Sequence, residues 1–385
     1  TATSQPRPTG SHATAGGPGT SCMPPSGCPV QGIPNTFQIT PFSHPMDVSS
    51  LMAGRKARWL VTGAAGFIGS HLAESLALAG QDVIAIDDFS TGKRANIDAI
   101  MASTRAAGQN GLHFEEGTVC DRDFCTRIVE GVDYVLHQAA LGSVPRSMAT
   151  PLASFKANVT GFMEILDAAR LAGVKSFVYA SSSSVYGDHP RLPKVEDTVG
   201  NVLSPYAATK AADELFAGVY ARSYGMRTAG MRYFNVFGAR QDPNGAYAAV
   251  IPRWTAALLR EEAVKINGDG QTSRDFCFID NVVQANIRAA LTLAEAPAGT
   301  TDVFNVAASF RTTLLELADL LKRLLHEEKP ELNMPDPVFQ DFRPGDVRHS
   351  LADISHSRER LGYVPSHTLE QGLREALPWY IANPA

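Results

Sequence analysis

The run Trp59-Leu60-Val61-Thr62-Gly63-Ala64-Ala65-Gly66-Phe67-Ile68-Gly69 constrains what this chain can fold into more than any other segment. An apolar, β-branched run passes directly into three glycines spaced three residues apart, and then into an amphipathic stretch that ends near Leu78. A strand that turns this sharply into a helix needs positions without side chains. The same bare backbone lets N–H groups approach a pyrophosphate, and the helix dipole adds positive charge there, so the phosphates need no lysine. About 20 residues on, Ile84-Ala85-Ile86 ends in Asp87 and Asp88. A carboxylate there accepts hydrogen bonds from an adenosine ribose and repels a 2′-phosphate, which favours NAD over NADP.

The rest of the chain extends this unit. Short β-branched runs at Val83 to Ile86, His113 to Val119, Tyr134 to His137, Phe177 to Ala180 and Thr228 to Tyr233 alternate with helical stretches, two of them at about 152–171 and 205–223. That alternation predicts an α/β fold, a doubly wound parallel sheet of Rossmann type over 53–235. Beyond Asn235 the pattern loosens into Pro- and Gly-punctuated pieces, which predicts a smaller α/β substrate-binding domain over 236–385, with room for strand or helix exchange between the two. Residues 1–50 hold nine Pro and six Gly but a single basic and a single acidic residue, so 1–52 is expected to be a disordered tail or an over-extended translation start ahead of Met52. A net charge of −5 has the wrong sign for nucleic-acid binding, and any anionic ligand must meet locally placed Arg or Lys. No apolar run reaches the roughly 18 residues of a membrane span and no secretory signal opens the chain, so a cytoplasmic location is expected. Five cysteines without ligand spacing give no reason to expect a metal.

Tyr206-Ala207-Ala208-Thr209-Lys210 follows Pro205, a residue suited to a first helical turn, so Tyr206 and Lys210 share one helix face. A free phenol titrates at about pH 10, and an ammonium one turn away favours the phenolate, which makes Tyr206 a usable general base. Upstream, Ser181-Ser182-Ser183-Ser184 ends a strand and places hydroxyls at the sheet's carboxyl edge, where the crevice of such folds lies.

With these residues the sequence resembles the extended short-chain dehydrogenase/reductase family from about Ala57 to the C-terminus. Within it, the chain is most similar to UDP-sugar 4-epimerases, especially those acting on UDP-N-acetylglucosamine and UDP-N-acetylgalactosamine. The resemblance is carried by Gly63, Gly66 and Gly69, by His137-Gln138-Ala139-Ala140, by Ser182 with Tyr206 and Lys210, by Arg232-Tyr233-Phe234-Asn235, by Ser273-Arg274-Asp275 and by Arg343-Pro344-Gly345-Asp346-Val347-Arg348. It implies that Ser182 hydrogen-bonds the sugar's 4′-hydroxyl, Tyr206 shuttles its proton and Lys210 binds the nicotinamide ribose. It implies further NAD contacts from Phe67, Ile68, Asp87, Asp88, Phe89, Ser90, Thr91, Gly92, Thr118, Val119, Gln138, Ala139, Ala140, Asn158 and Phe234. Asn235, Arg274, Arg343 and Asp346 would hold the UDP part, with Ser143, Val250 and Ser350 also lining the substrate site. Where the family usually carries an Asp for the adenine amino group, this chain has Thr118, and Asp121 is a candidate partial substitute.

Epimerases, dehydratases and decarboxylases share these parts, so the fold does not choose among them. Dehydratases and decarboxylases resemble one another in a carboxylate just before Val-Tyr-Gly; this chain has Ser184 before Val185-Tyr186-Gly187, which leaves reversible hydride transfer through a 4-keto sugar. The expected reaction is 4-epimerisation of UDP-N-acetylglucosamine to UDP-N-acetylgalactosamine, weaker on UDP-glucose and UDP-galactose. Ser350, seven residues after Arg343, is small where a bulky ring would exclude a 2′-acetamido group. A 4-epimerase of a UDP-N-acetylhexosaminuronate, or another NAD-dependent UDP-sugar epimerase or decarboxylase, stays open, and a non-catalytic NAD-binding regulator is a remote alternative that retention of both Tyr206 and Lys210 speaks against. Small residues along 152–171 and 205–223 (Ala157, Gly161, Ala168; Ala211, Ala217, Gly218) permit close helix packing, and the resembling enzymes pair these helices in a homodimer.

Overall fold

Seven parallel strands form the centre of the computed structural model, which describes residues 48–243, 249–342 and 347–384. In chain order they are β1 (Arg58–Thr62), β2 (Asp82–Asp87), β3 (Leu112–Glu116), β4 (Tyr134–His137), β5 (Ser176–Ser182), β6 (Thr228–Tyr233) and the strand Thr301–Val306. Across the sheet they lie Thr301–Val306, β6, β5, β4, β1, β2, β3. The order reverses between β1 and β4, and the carboxyl ends at that reversal open the crevice. β4 is buried at all four positions, as a parallel strand covered on both faces must be, and this is why it reads as an apolar run without alternation.

Neighbouring strand residues feed different cores. Val61, Leu136, Val178 and Met231 pack with Leu72, Leu76, Val282 and Leu293, while Leu60, Val135, Phe177 and Tyr179 pack with Phe162, Ile165, Leu166 and Ala217. Each fully buried Leu, Ile, Val or Phe contributes roughly 1.5–3 kcal/mol. The helix Ile279–Ala294 packs on β4, β5 and β6 and on the helix Phe67–Leu78. Both this helix and the strand Thr301–Val306 come from beyond Asn235, so the 236–385 segment helps to build the central sheet layer. The described residues all belong to one compact unit.

Two local differences from the sequence reading have physical causes. The stretch read as helical over 152–171 follows a separate helix Val144–Ala149 and is itself a short helix Pro151–Phe155, a π-helical turn Lys156–Thr160 and a helix Gly161–Ala172. Pro151 divides the first two, and the wide turn carries the buried Asn158. The tail expected over 1–52 overlaps the described residues at its end, where Val48–Leu51 form one helical turn and Met52 is buried in the main core. Residues 1–47, Arg343 and Asp346 lie outside the described residues.

Candidate active site

The glycine turn is shaped by what cannot fit. Gly63 has φ +69, and a Cβ there would lie 2.7 Å from the Ala139 nitrogen; at Gly69 a Cβ would lie 2.1 Å from the Gly63 carbonyl oxygen. The helix Phe67–Leu78 therefore rests directly on the turn, and no side chain caps its N-terminus, leaving its first N–H groups directed at the crevice. Asp87, buried at the end of β2, braces the turn: one carboxylate oxygen accepts from Ala65 N at 2.9 Å and the other from Phe89 N at 2.8 Å. Burial pushes its pKa above the ordinary aspartate value, while these backbone donors pull the other way. Asp88 is exposed beside it. Burial of its carboxyl opposes the charge, yet hydrogen bonds from Ser90 and Thr118 hold its pKa below the ordinary value. Gly92 packs so closely that a Cβ would lie 2.7 Å from both Ala65 Cβ and Asp87 Oδ1. A cradle closed to side chains, an uncapped helix start and two carboxylates on its ribose side fit NAD.

Thr118 sits at the third strand's end with its hydroxyl tied to Asp88 and Cys120 N. Asp121, the candidate substitute for an adenine contact, instead caps the helix Arg122–Ile128 by accepting from Phe124 N at 3.1 Å. Asn158 is also committed to the protein: it accepts from Leu141 N at 2.7 Å and donates to Leu141 O and Thr209 Oγ1. It ties the segment after β4 to the helix Pro205–Tyr224. Phe234 lies fully buried in the main core, its ring beside Tyr186. Gln138 accepts from the Tyr233 hydroxyl at 3.0 Å and donates to Asn286 at 3.3 Å, so its amide stiffens the end of β4.

The helix Pro205–Tyr224 is specified at both ends. Ser204 accepts from Ala207 N, Pro205 fills the first turn, and Gly225 ends the helix at φ +74. It packs on β5, on β6 and on the 3-10 turn Ser183–Tyr186, which brings Tyr206 and Lys210 to the edge where Ser182 ends β5. Tyr206 is half-buried and Lys210 buried. Ser182 accepts from Ser184 N at 3.2 Å, and the Ser184 hydroxyl is buried without a hydrogen-bond partner. His137, at the end of β4, bonds Thr62 Oγ1 at 2.8 Å; burial first, then the Lys210 charge, lowers its pKa to about 3, so it stays neutral. Thr62 Oγ1 also accepts from Gln138 N and Ala139 N, which locks β1 to the segment after β4.

A cavity of about 240 Å³ opens beyond β6, lined by Asn235, Val236, Phe237, Gln241, Ala249, Val250, Ile251, Arg253, Trp254, Lys265, Asn267, Arg274, Phe276 and Leu314. It gathers Asn235, Val250 and Arg274, three of the residues expected at the substrate site. Ser350 is half-buried beside the wall: its N–H donates to Ser273 O at 3.1 Å, next to Arg274. Ser143 has φ +93 and its hydroxyl accepts from Arg146 N, so it caps the helix Val144–Ala149. Asp275, fully buried, accepts from Ala308 N and Ala352 N, both at 3.1 Å, and joins three segments around the cavity. Behind β5 and β6, Arg232 makes a two-pronged pair with Glu214 at 2.9 and 2.7 Å and donates to Glu196 O. Lys265, Asn267, Trp254 and Gln241 carry no spacing that marks them in the sequence; the Gly268-Asp269-Gly270 turn after Lys265–Asn267 is the one local sign of a cavity-edge strand.

The family model described as the NAD dependent epimerase/dehydratase family matches residues 59–307. The UDP-glucose 4-epimerase of Mycolicibacterium smegmatis is 36% identical over 84% of this chain and 98% of that protein. UDP-glucuronate 4-epimerase 2 of Arabidopsis thaliana is 32% identical over 84% of this chain and 75% of that protein. A solved structure of the UDP-N-acetylglucosamine 4-epimerase from Methanobrevibacter ruminantium M1, in complex with UDP-N-acetylmuramic acid, is similar with a TM-score of 0.77 and 36% identity, over 85% of this chain and 99% of that one. The chain belongs to the NAD dependent epimerase/dehydratase family, and NAD is its cofactor.

Proposed function

We propose that this NAD-dependent UDP-sugar 4-epimerase interconverts UDP-N-acetylglucosamine and UDP-N-acetylgalactosamine, with weaker turnover of UDP-glucose and UDP-galactose. The observation that carries the reading is one sheet edge: Ser182 at the end of β5 pairs with Tyr233 of β6, two residues before the cavity-lining Asn235, and the helix that begins with Tyr206 and Lys210 packs on both strands. NAD, when bound, accepts a hydride from the sugar's C4 and returns it. Tyr206 takes the 4′-hydroxyl proton and gives it back, Ser182 orients that hydroxyl, and Lys210 holds the nicotinamide ribose and stabilises the phenolate. Arg274 suits the anionic pyrophosphate because its planar fork donates two hydrogen bonds. The C4 centre inverts when the keto sugar turns between the two transfers.

Relatives named for glucose, glucuronate and N-acetylglucosamine all align with the chain, so the sugar is assigned on Ser350. Ser350 pairs alongside Ser273, directly before the cavity-lining Arg274, and a side chain this small next to the wall would leave room for an acetamido group. Replacing Ser350 with Tyr is expected to abolish turnover of the acetylated pair and spare the non-acetylated pair. Unchanged turnover of UDP-N-acetylglucosamine by that variant contradicts the assignment, and a substrate panel that includes UDP-hexuronates separates the uronate reading.

We also propose a homodimer through the helices around 144–172 and 205–224. Leu152 (82% exposed), Phe155, Leu215 (72%), Phe216 and Val219 present apolar surface there. A strictly monomeric mass at micromolar concentration counts against it.

A further inference from the structure

Two carboxylates sit side by side on the helix Pro205–Tyr224 in opposite circumstances. Glu214 is saturated: it receives both prongs of Arg232 and the Ser181 hydroxyl at 2.5 Å. Asp213 is not. It is fully buried, one oxygen accepts from the Lys210 ammonium at 3.2 Å, and the other has no hydrogen-bond partner. A half-satisfied carboxylate in the interior is costly, so its place one helical turn beyond the Lys that serves Tyr206 calls for a reason.

Resting on the assignment of Tyr206 as base, we propose that Asp213 is a positioning residue: it anchors the Lys210 ammonium and, according to whether it carries its own negative charge, sets how strongly that ammonium favours the Tyr206 phenolate. With Asp213 neutral, the Lys210 charge acts on Tyr206 uncompensated. With Asp213 ionised, the buried pair is nearly neutral seen from Tyr206, and the phenol holds its proton more firmly. The surroundings leave this coupling intact. On the same helix Glu214 is matched by Arg232 of β6. From β4, His137 faces Lys210 and is kept neutral by burial. From β5, Tyr179 faces Asp213 and Glu214 and is held protonated by burial. On the strand Thr301–Val306, Asp302 also faces Tyr179 and is itself paired with His356. Burial, opposed by Lys210, raises the Asp213 pKa to about 7, so its charge changes near neutral pH.

An ionised Asp213 opposes the Tyr206 phenolate, so removing its charge should make the phenolate easier to form. This can be read without any sugar, as phenolate ultraviolet absorption against pH in the NAD-loaded full chain, with Tyr206→Phe subtracted. Asp213→Asn keeps an oxygen for Lys210 but removes the charge. It is expected to lower the midpoint by about one pH unit, roughly tenfold in phenolate on the acid side. A variant curve that superimposes on the parent's overturns the proposal. Should that variant not fold, Asp213→Ser, which also removes the charge, is read in the same way, and a midpoint that does not move overturns the proposal. Failure of the epimerase reading would show separately, as a parent that titrates at Tyr206 but turns over no UDP-sugar.

Discussion

Residues 62–96 shape almost the whole dinucleotide end: the glycine turn, the helix start, Asp87 and the loop that folds back so that Lys93 N and the Asn96 amide both donate to Ala65 O. The cavity proposed for the sugar nucleotide has no such segment. Its walls come from 235–241, 249–254, 265–267, 274–276 and Leu314, and the buried Asp275 fixes one of these segments by accepting from the backbone of Ala308 and Ala352. A contiguous site depends on backbone shape and fails when a side chain is added. A dispersed site depends on buried hydrogen bonds and fails when one is removed.

The largest effect is expected behind the cavity, where the helix Pro205–Tyr224 is tied to β6. Replacing Arg232 by Met leaves the largely buried Glu214 with the Ser181 hydroxyl but no counter-charge, which is expected to cost about 3–5 kcal/mol, read as a lowered denaturation midpoint. A cost below about 1 kcal/mol would mean the tie is dispensable and the contrast between the regions overdrawn. Where the two regions meet, Tyr206→Phe is expected to lower kcat by at least about 100-fold while NAD remains bound. Near-normal turnover would remove Tyr206 from its role.

Gly69→Ala tests the contiguous end alone. Overlap with the Gly63 carbonyl is expected to cost about 1–3 kcal/mol and to release NAD on gel filtration. Full NAD retention would show that the turn can yield. Asp275→Asn tests the dispersed end alone, and its sharpest readout is pH. Burial raises the Asp275 pKa from 3.8 to about 7 despite its backbone donors. The folded state therefore holds this proton where the unfolded chain has lost it, so the parent loses stability as pH rises from about 4 to about 7 and no further above that. The Asn variant lacks this loss, so the stability gap between parent and variant is expected to narrow across that window, measured by denaturant titration. A gap that widens has the wrong sign for a buried, protonated Asp275.

Legibility in the sequence follows the same division. The Gly63–Gly69 spacing, Asp87 after a strand and Tyr206 with Lys210 are local patterns, and local patterns survive being read one residue at a time. The sheet was legible up to β6, but the strand Thr301–Val306 and the helix Ile279–Ala294 return from the far part of the chain, and periodicity carries no information on where such a piece docks. The same holds for Lys265, Asn267 and Trp254, which become neighbours only through the fold. Asn158, Ser143 and Asp121 were read as ligand contacts or candidates for them, yet their side chains are committed to the protein's own backbone and side chains. Short polar side chains beside a turn serve caps and ligands with the same atoms, and residue type alone does not separate the two. Asp213 carries no local mark in the sequence, because a charged residue on an amphipathic helix ordinarily faces water.

The most direct test of the central claim is one incubation of the purified chain, with its bound NAD and no added oxidant or reductant, with UDP-N-acetylglucosamine in deuterated water, followed by nuclear magnetic resonance. The account predicts that UDP-N-acetylgalactosamine accumulates to equilibrium with no solvent deuterium at C4, because the hydride that leaves C4 is the one that returns. A 4-keto-6-deoxy product, or deuterium at C4 of the inverted sugar, would contradict it.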